Sequence, residues 1–275
     1  MSLVRVERPR RLALIVGALV PLVIVGSAVA WNLAQQSVVE DLLPNLEQAA
    51  PGDLSGRTGG TAAAPRFYLG FESAAANTGT GPLIVLGRRP SLARERMTLR
   101  QQIARSDGTT RSVPLRARLS YVRSPDHSHW HVLRFMRYEL RSADGARLMR
   151  DRKTGFCLGD RYRVAYAFPD RPSAPRFGER CGKGAPRLLT MREGISIGWG
   201  DNYNPHLEGQ EFEVTSLAAG RYVLVHRVNS TNDFRESDYA DNVASMAFDL
   251  SWPGGRKQPP RIDVAARCTR TATCP

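Results

Sequence analysis

Lysine, histidine and cysteine are scarce in this 275-residue chain: three Lys stand against 36 Arg, with five His and four Cys. No two cysteines have Cys-x-x-Cys spacing, which argues against a zinc ribbon or a thioredoxin-like redox site. A phosphate-binding motif, an aromatic nucleic-acid platform and a local basic run are also missing, so the net charge of +13 does not point to nucleic acid. Spread along the chain as arginine, that charge is a property of the surface and a constraint on substrates. The 18 Pro and 24 Gly follow no collagen period and are too few for a disordered chain, and no tandem repeat is visible. What is present is 42% hydrophobic and 24% charged residues, enough for one substantial core at this length.

The N-terminus sets the compartment. Arg5, Arg8, Arg10 and Arg11 precede an uncharged run of twenty residues, Leu12 to Trp31, which as a helix is about 30 Å long. This predicts a transmembrane or signal helix with its N-terminus in the cytoplasm. Ala28-Val29-Ala30 has the small-x-small form of a cleavage site. The rest is therefore expected outside the cytoplasm, anchored in the membrane by this helix or secreted after cleavage near Ala30. Disulfides persist there. Four cysteines allow three pairings, and two local bridges are expected, Cys157 with Cys181 and Cys268 with Cys274. A chain-entropy estimate gives them about 3.5 and 2.4 kcal/mol.

From Arg66 onward, short apolar-rich runs recur: Phe67–Phe71, Leu83–Leu86, Met97–Ala104, Ser112–Leu119, His131–Leu140, Phe212–Val214, Arg221–Val228 and Val243–Leu250. Alternation such as Tyr222, Leu224 and His226 against Val223, Val225 and Arg227 is strand periodicity. Ser106-Asp107-Gly108, Ala143-Asp144-Gly145 and Ala218-Ala219-Gly220 punctuate the runs as turns. An all-β, sandwich-like domain with long irregular loops follows, its longest irregular insertion lying between about Asp151 and Trp199. The chain then divides into a basic head and apolar helix (1–31), an entry segment and flexible linker (32–65), a β-domain (66–252) and a tail (253–275). The linker reading rests on the Gly, Thr and Ala of Ala49–Ala64; the tail is Pro- and Arg-rich, with little core-forming content and a disulfide.

Three of the five histidines fall in Asp126-His127-Ser128-His129-Trp130-His131. On a strand, i, i+2 and i+4 share one face, so His127, His129 and His131 project together as a metal-site candidate. Flat spacing puts the outer two about 13 Å apart at Cα. One ion then requires the strand to bend, and Pro125 lies just upstream. Three neutral imidazoles suit Cu(II) or Zn(II), with Cu(II) the higher in intrinsic affinity.

This histidine pattern, followed by Phe135, Tyr138 and Leu140, resembles the copper-binding region of the lysyl oxidase family. Lys153-Thr154-Gly155-Phe156-Cys157-Leu158-Gly159-Asp160 is similar to that family's Lys-x-x-Phe-Cys-Leu-x-Asp segment. Gly194-Ile195-Ser196 and Asp201-Asn202-Tyr203 match its Gly-Ile-Ser and Asp-x-Tyr pattern. Gly220-x-Tyr222 and Glu236-Ser237-Asp238-Tyr239-Ala240-Asp241-Asn242 match later stretches. Five motifs in one order carry the resemblance, which begins near Asp41 and runs to about Leu250. It implies a protein-lysine 6-oxidase-like copper amine oxidase; the short export signal and the Arg- and Ala-rich composition suggest a member of bacterial type. Such an enzyme deaminates primary amines, peptidyl lysine or small amines, to aldehydes with dioxygen, releasing hydrogen peroxide and ammonia. It also implies copper(II) on the three histidines and lysine tyrosylquinone made from Lys153 and Tyr203. An exposed lysine is mostly protonated, so Lys153 is expected to be desolvated or near a positive centre. Asp201, two residues before Tyr203, is the candidate base.

An oxygen-rich cluster of Glu236, Asp238, Asp241 and Asn242 suits calcium. The resemblance adds Asp41-Leu42 as its partner, which would clamp the start of the domain to its last strands. Departures are also visible: animal members carry Cys where Asp126 stands, and a disulfide at the positions of Trp199 and Gly209. The alternative reading is a non-catalytic extracellular copper-binding β-sandwich module.

Overall fold

Period-two alternation governs the chain, and every regular element among the described residues is a strand. The structure is a computed structural model that describes residues 38–123, 128–151, 153, 155–178 and 180–275. The expected N-terminal helix and His127 lie outside the described residues.

Glu40–Pro275 forms one compact unit of four antiparallel sheets. The largest runs Thr190–Ile195, Leu83–Arg88, Arg96–Arg105, Thr110–Arg123, Ser128–Val132, with Asp41–Leu42 added beside Arg96–Arg105. The second runs Arg147–Arg150, Met136–Ser142, Gly220–Val228, Val243–Ser251, Arg261–Thr269. A third joins Tyr162–Arg163, Trp199–Tyr203, Ser73–Asn77 and Leu46–Gln48, and a fourth joins Glu211–Glu213, Pro65–Phe71 and Leu54–Gly60. All four contribute to one core, in which Leu83, Met97 and Leu119 of the first meet Tyr138, Leu224 and Phe248 of the second with Phe67, Phe71 and Tyr203. The turns fall where expected: Gly108 and Gly145 take φ of 80° and 91°, conformations only glycine adopts freely.

Three expectations change. The single run His131–Leu140 is two strands in different sheets, because Arg134 takes φ 67° in the turn between them. That turn leaves His129 and His131 at the edge of the first sheet and sends Tyr138 into the second. Within the stretch read as linker, Leu54–Gly60 pairs along its length with Pro65–Phe71; small residues there accommodate a strand without supplying a period. The tail is structured as well. Arg261–Thr269 pairs with Val243–Ser251, and the Cys268–Cys274 loop covers Val223, Val225 and Ala247 on the outer face of the second sheet. The tail has few apolar residues of its own because it serves as a cover.

The insertion 151–199 is mostly irregular, yet hydrogen bonds hold it to the histidine edge. Val132 N–H donates to Phe156 O at 2.8 Å, Phe156 N–H donates back to Val132 O at 3.0 Å, and Trp130 N–H donates to Cys181 O at 2.8 Å. The expected Cys157–Cys181 bridge closes this segment on itself.

Candidate active site

His129 and His131 occupy alternate positions on Ser128–Val132, in register with Val122 and Ser120 of the neighbouring strand. Their Nε2 atoms approach to 2.7 Å, so both rings aim at one point, as the i, i+2 argument requires. Two imidazole nitrogens that close share a proton or an ion, and the donor set suits copper. Among the described residues no group of three His, Cys, Asp or Glu side chains is placed to hold a metal; the third expected ligand, His127, lies outside them. His206 is exposed beside Ser55. His226 is buried between Phe71 and Tyr138, where desolvation pushes its imidazole down to about 3.

The paired strand pieces at Val132 and Phe156 bring Lys153 to a cleft that His131 also lines. Its ammonium lies 5.3 Å from the centre of the Tyr203 ring and 5.4 Å from that of Phe156, and donates to Glu208 O at 3.3 Å. Lys153 is 8% exposed, and burial pushes it down to about 8, against the opposing pull of Glu208, Asp151 and Asp201. The desolvation expected of this lysine is therefore present. Lys153 and His131 both line a cleft of about 500 Å³, with Tyr68, Gly155, Glu208 and Phe212 on its walls.

Tyr203 and Asp201 share one side of the strand Trp199–Tyr203, the i, i+2 relation again. The Tyr203 hydroxyl lies 2.6 Å from Asp201 Oδ2 and 2.9 Å from Cys157 O. Burial, then the Asp201 charge, holds the phenol well above its ordinary range. Asp201 is wholly buried and pushed up to about 7 by desolvation, although the Arg161 guanidinium opposes the rise. Arg161 Nε lies 2.5 Å from Asp201 Oδ1, and its guanidinium carbon is 5.4 Å from the Tyr203 ring centre. Asp160 ties two motifs together by accepting from Ser196 N at 2.7 Å and Ser196 Oγ at 2.8 Å.

A family model described as Lysyl oxidase matches residues 88–252, more than half of the chain. The chain belongs to the lysyl oxidase family. Among curated relatives of this lysyl oxidase family member, it is 28% identical over 131 residues to lysyl oxidase homolog 4 of Mus musculus, covering 47% of this chain and 16% of that protein. It is 29% identical over 147 residues to protein-lysine 6-oxidase of Sus scrofa, covering 52% of each. The chain thus spans about a sixth of the first and about half of the second.

Membership also frames the departures. Gly209 takes φ 74°, and a Cβ there would sit 3.1 Å from Lys153 Cα, so glycine is what lets the two backbones meet. Trp199 is buried, donating to Pro172 O at 3.2 Å with Arg163 over its ring. Sequence reasoning missed Arg161, and met Phe156 only as a motif position and Gly209 only as a departure from the family pattern. Nothing in the spacing marks Arg161, whereas a glycine six residues after the key tyrosine was a signal for close approach.

The residues expected to hold calcium have protein partners. Asp41 is engaged by Arg105 and Arg111, and Leu42 pairs with Ala104. Glu236 accepts from Leu46 N at 2.8 Å, Asn229 Nδ2 at 2.5 Å and Asn242 Nδ2 at 2.6 Å. Asp241 accepts from Asn45 Nδ2 at 2.8 Å, and Asp238 from Arg270 at 3.0 Å.

Proposed function

We propose that this protein is an extracytoplasmic copper- and quinone-dependent amine oxidase on a β-sandwich-like domain. It oxidatively deaminates primary amines, either peptidyl lysine or small amines, to aldehydes, releasing hydrogen peroxide and ammonia. The observation that carries the reading is the 5.3 Å approach of the Lys153 ammonium to the Tyr203 ring, in a cleft that His131 also lines. The apolar run 12–31 anchors the domain or directs its export.

His129 and His131, with His127, would hold copper(II), and Lys153 and Tyr203 would become lysine tyrosylquinone. That cofactor supplies an electrophilic carbonyl and a two-electron sink that dioxygen restores. The chain's own residues prepare the site. Burial leaves a usable fraction of Lys153 as the neutral amine, the form that adds to a ring. Asp201 Oδ2, 2.6 Å from the Tyr203 oxygen, takes the phenolic proton. Poised at about 7, the same carboxylate matches a general base for the amine's adjacent C–H. Arg161 holds Asp201 from its other oxygen and keeps it from turning away. The aromatic walls of Tyr68 and Phe212 line the approach for an aliphatic amine.

Copper loading of the full chain, followed by proteolysis and mass spectrometry, tests this. The expected result is a cross-linked peptide joining Lys153 to Tyr203 together with amine-dependent peroxide release, both lost in Lys153→Ala and Tyr203→Phe. Copper bound without cross-link or peroxide is the behaviour of a binding module and would sink the oxidase reading.

A further inference from the structure

The first sheet turns one face to the core and the other to solvent. Outward on its strands stand Arg88 of Leu83–Arg88, Arg96 and Arg100 of Arg96–Arg105, Arg118 of Thr110–Arg123 and Arg192 of Thr190–Ile195. Among the described residues no Asp or Glu occupies an outward position on these four strands; their one carboxylate, Glu193, faces inward and is buried. Other arginines of the sheet do meet carboxylates, Arg105 and Arg111 at Asp41 and Arg116 at Asp233. The five outward ones are in no ion pair among the described residues. Arg100 donates from Nε to Ser112 Oγ at 2.7 Å, Arg118 from Nη1 to Ala117 O at 2.9 Å, and Arg192 lies 4.7 Å over the Phe177 ring. Like charges gathered this way repel one another and attract an anionic cover.

Three of the five surround a hollow. Arg192 is opposite Leu86 and Leu86 opposite Arg100, while Arg88 is opposite Thr190 and Thr98. These six residues line a depression of about 520 Å³, where guanidinium forks and hydroxyls offer the donors that phosphate oxygens accept. The five arginines spread over four strands, roughly 14 Å of sheet, which matches a layer of phosphates better than one ion. The chain's length supplies a second argument. The apolar run ends at Trp31, and the first strand begins at Asp41, paired with Arg105 at one end of this same sheet. The nine residues between them span at most about 30 Å. With run 12–31 read as a membrane anchor, that tether keeps the sheet within reach of the bilayer surface, where anionic headgroups attract each nearby arginine.

We propose that the outer face of the first sheet is a docking surface for an anionic phospholipid bilayer, with Arg88, Arg100 and Arg192 taking headgroup phosphates. The inference rests on the anchor reading of run 12–31 for its reach, and on the arginine face for its contact. Docking of this kind holds the domain in one orientation on the membrane instead of leaving it to swing on its tether.

Fluorescence quenching on the full chain in vesicles tests the proposal without reference to oxidase activity. All four native cysteines are in disulfides, so a fluorophore on Thr98→Cys labels the face alone, and one on Val264→Cys, on the last strand, serves as control. The vesicles are phosphatidylcholine with or without phosphatidylglycerol, and carry a lipid whose headgroup quenches the fluorophore. At low salt the Thr98→Cys label is expected to be quenched in the phosphatidylglycerol vesicles, well beyond the control label, and to recover at high salt. Each of Arg88→Ala, Arg100→Ala and Arg192→Ala should lower the ratio of docked to undocked domain about fivefold, whereas the triple Arg→Lys variant, which keeps the charge, should retain most of the quenching. Flotation at high salt reads the anchor separately: a chain that leaves the vesicles there, yet shows arginine-dependent quenching at low salt, refutes the anchor and supports the docking face. Quenching that is absent, equal without phosphatidylglycerol or unchanged in the triple Arg→Ala variant overturns the proposal. So does release by inorganic phosphate at constant ionic strength, which would mark a site for a free anion.

Discussion

At the scale of the residue, the candidate site brings few groups very close together. Lys153 is pushed down to about 8 by burial, so the neutral amine is a minority below that pH and dominant above it. Cross-linking to Tyr203, followed as peptide mass after copper addition, should therefore quicken about tenfold per unit as pH rises toward 8 and level beyond it. A rate flat across that range would mean that the amine is not titrating in the rate-limiting step. Gly209 makes a second test. Gly209→Ala places a Cβ 3.1 Å from Lys153 Cα in a left-handed position, costing about 1–2 kcal/mol for the backbone alone. It should lower the unfolding midpoint and the cross-linked fraction together, whereas the same change at Gly56, where a Cβ meets nothing within 4 Å, should leave the cross-linked fraction unaltered. The histidines were legible in the sequence because a rare type recurs at i, i+2 and i+4; Lys153 and Tyr203 carry no such spacing and were singled out only by the resemblance to the family's motifs. Arg161 was not: one arginine among 36 carries no local signal, and only the fold brings its Nε to 2.5 Å from Asp201.

At the scale of the element, the decisive feature is an edge strand that another segment completes. Ser128–Val132 ends the first sheet, and Phe156 pairs with Val132 across its free side. This carries Lys153 to the cleft that His131 lines, with Cys157–Cys181 closing the segment behind it. Removing that bridge by Cys157→Ser with Cys181→Ser should cost up to about 3.5 kcal/mol in the chain-entropy limit, and it should also slow cross-linking, because Cys157 O is a partner of the Tyr203 hydroxyl. Calorimetry and peptide mass read the two effects separately; intact cross-linking in a destabilised variant would limit the bridge to folding. Six of the eight runs read from the sequence end within two residues of an observed strand, as with Arg221–Val228 against Gly220–Val228, while strands such as Ser73–Asn77, Thr190–Ile195 and Trp199–Tyr203 had no run to announce them. Alternation failed at His131–Leu140 because hydrophobic pattern continues through Arg134 while the backbone reverses there. It failed at Leu54–Gly60 because Gly, Ser and Thr pair along an exposed hairpin without any apolar period.

At the scale of the whole molecule, arginine does several jobs that composition alone could not separate. Some guanidiniums pair with carboxylates across strands, as Arg57 with Glu211 and Arg221 with Asp249. Some stack on aromatic rings, as Arg89 on Trp130, and Arg161 reaches the buried Asp201. These arginines have structural partners within the domain. The most direct test of the central claim is the mass of the peptide that contains Lys153 and Tyr203 after copper loading in air. The account predicts a single covalently joined species whose fragments locate the bond at those two residues, absent without copper and absent in Lys153→Ala. Two separate, unmodified peptides in a copper-saturated preparation would contradict it.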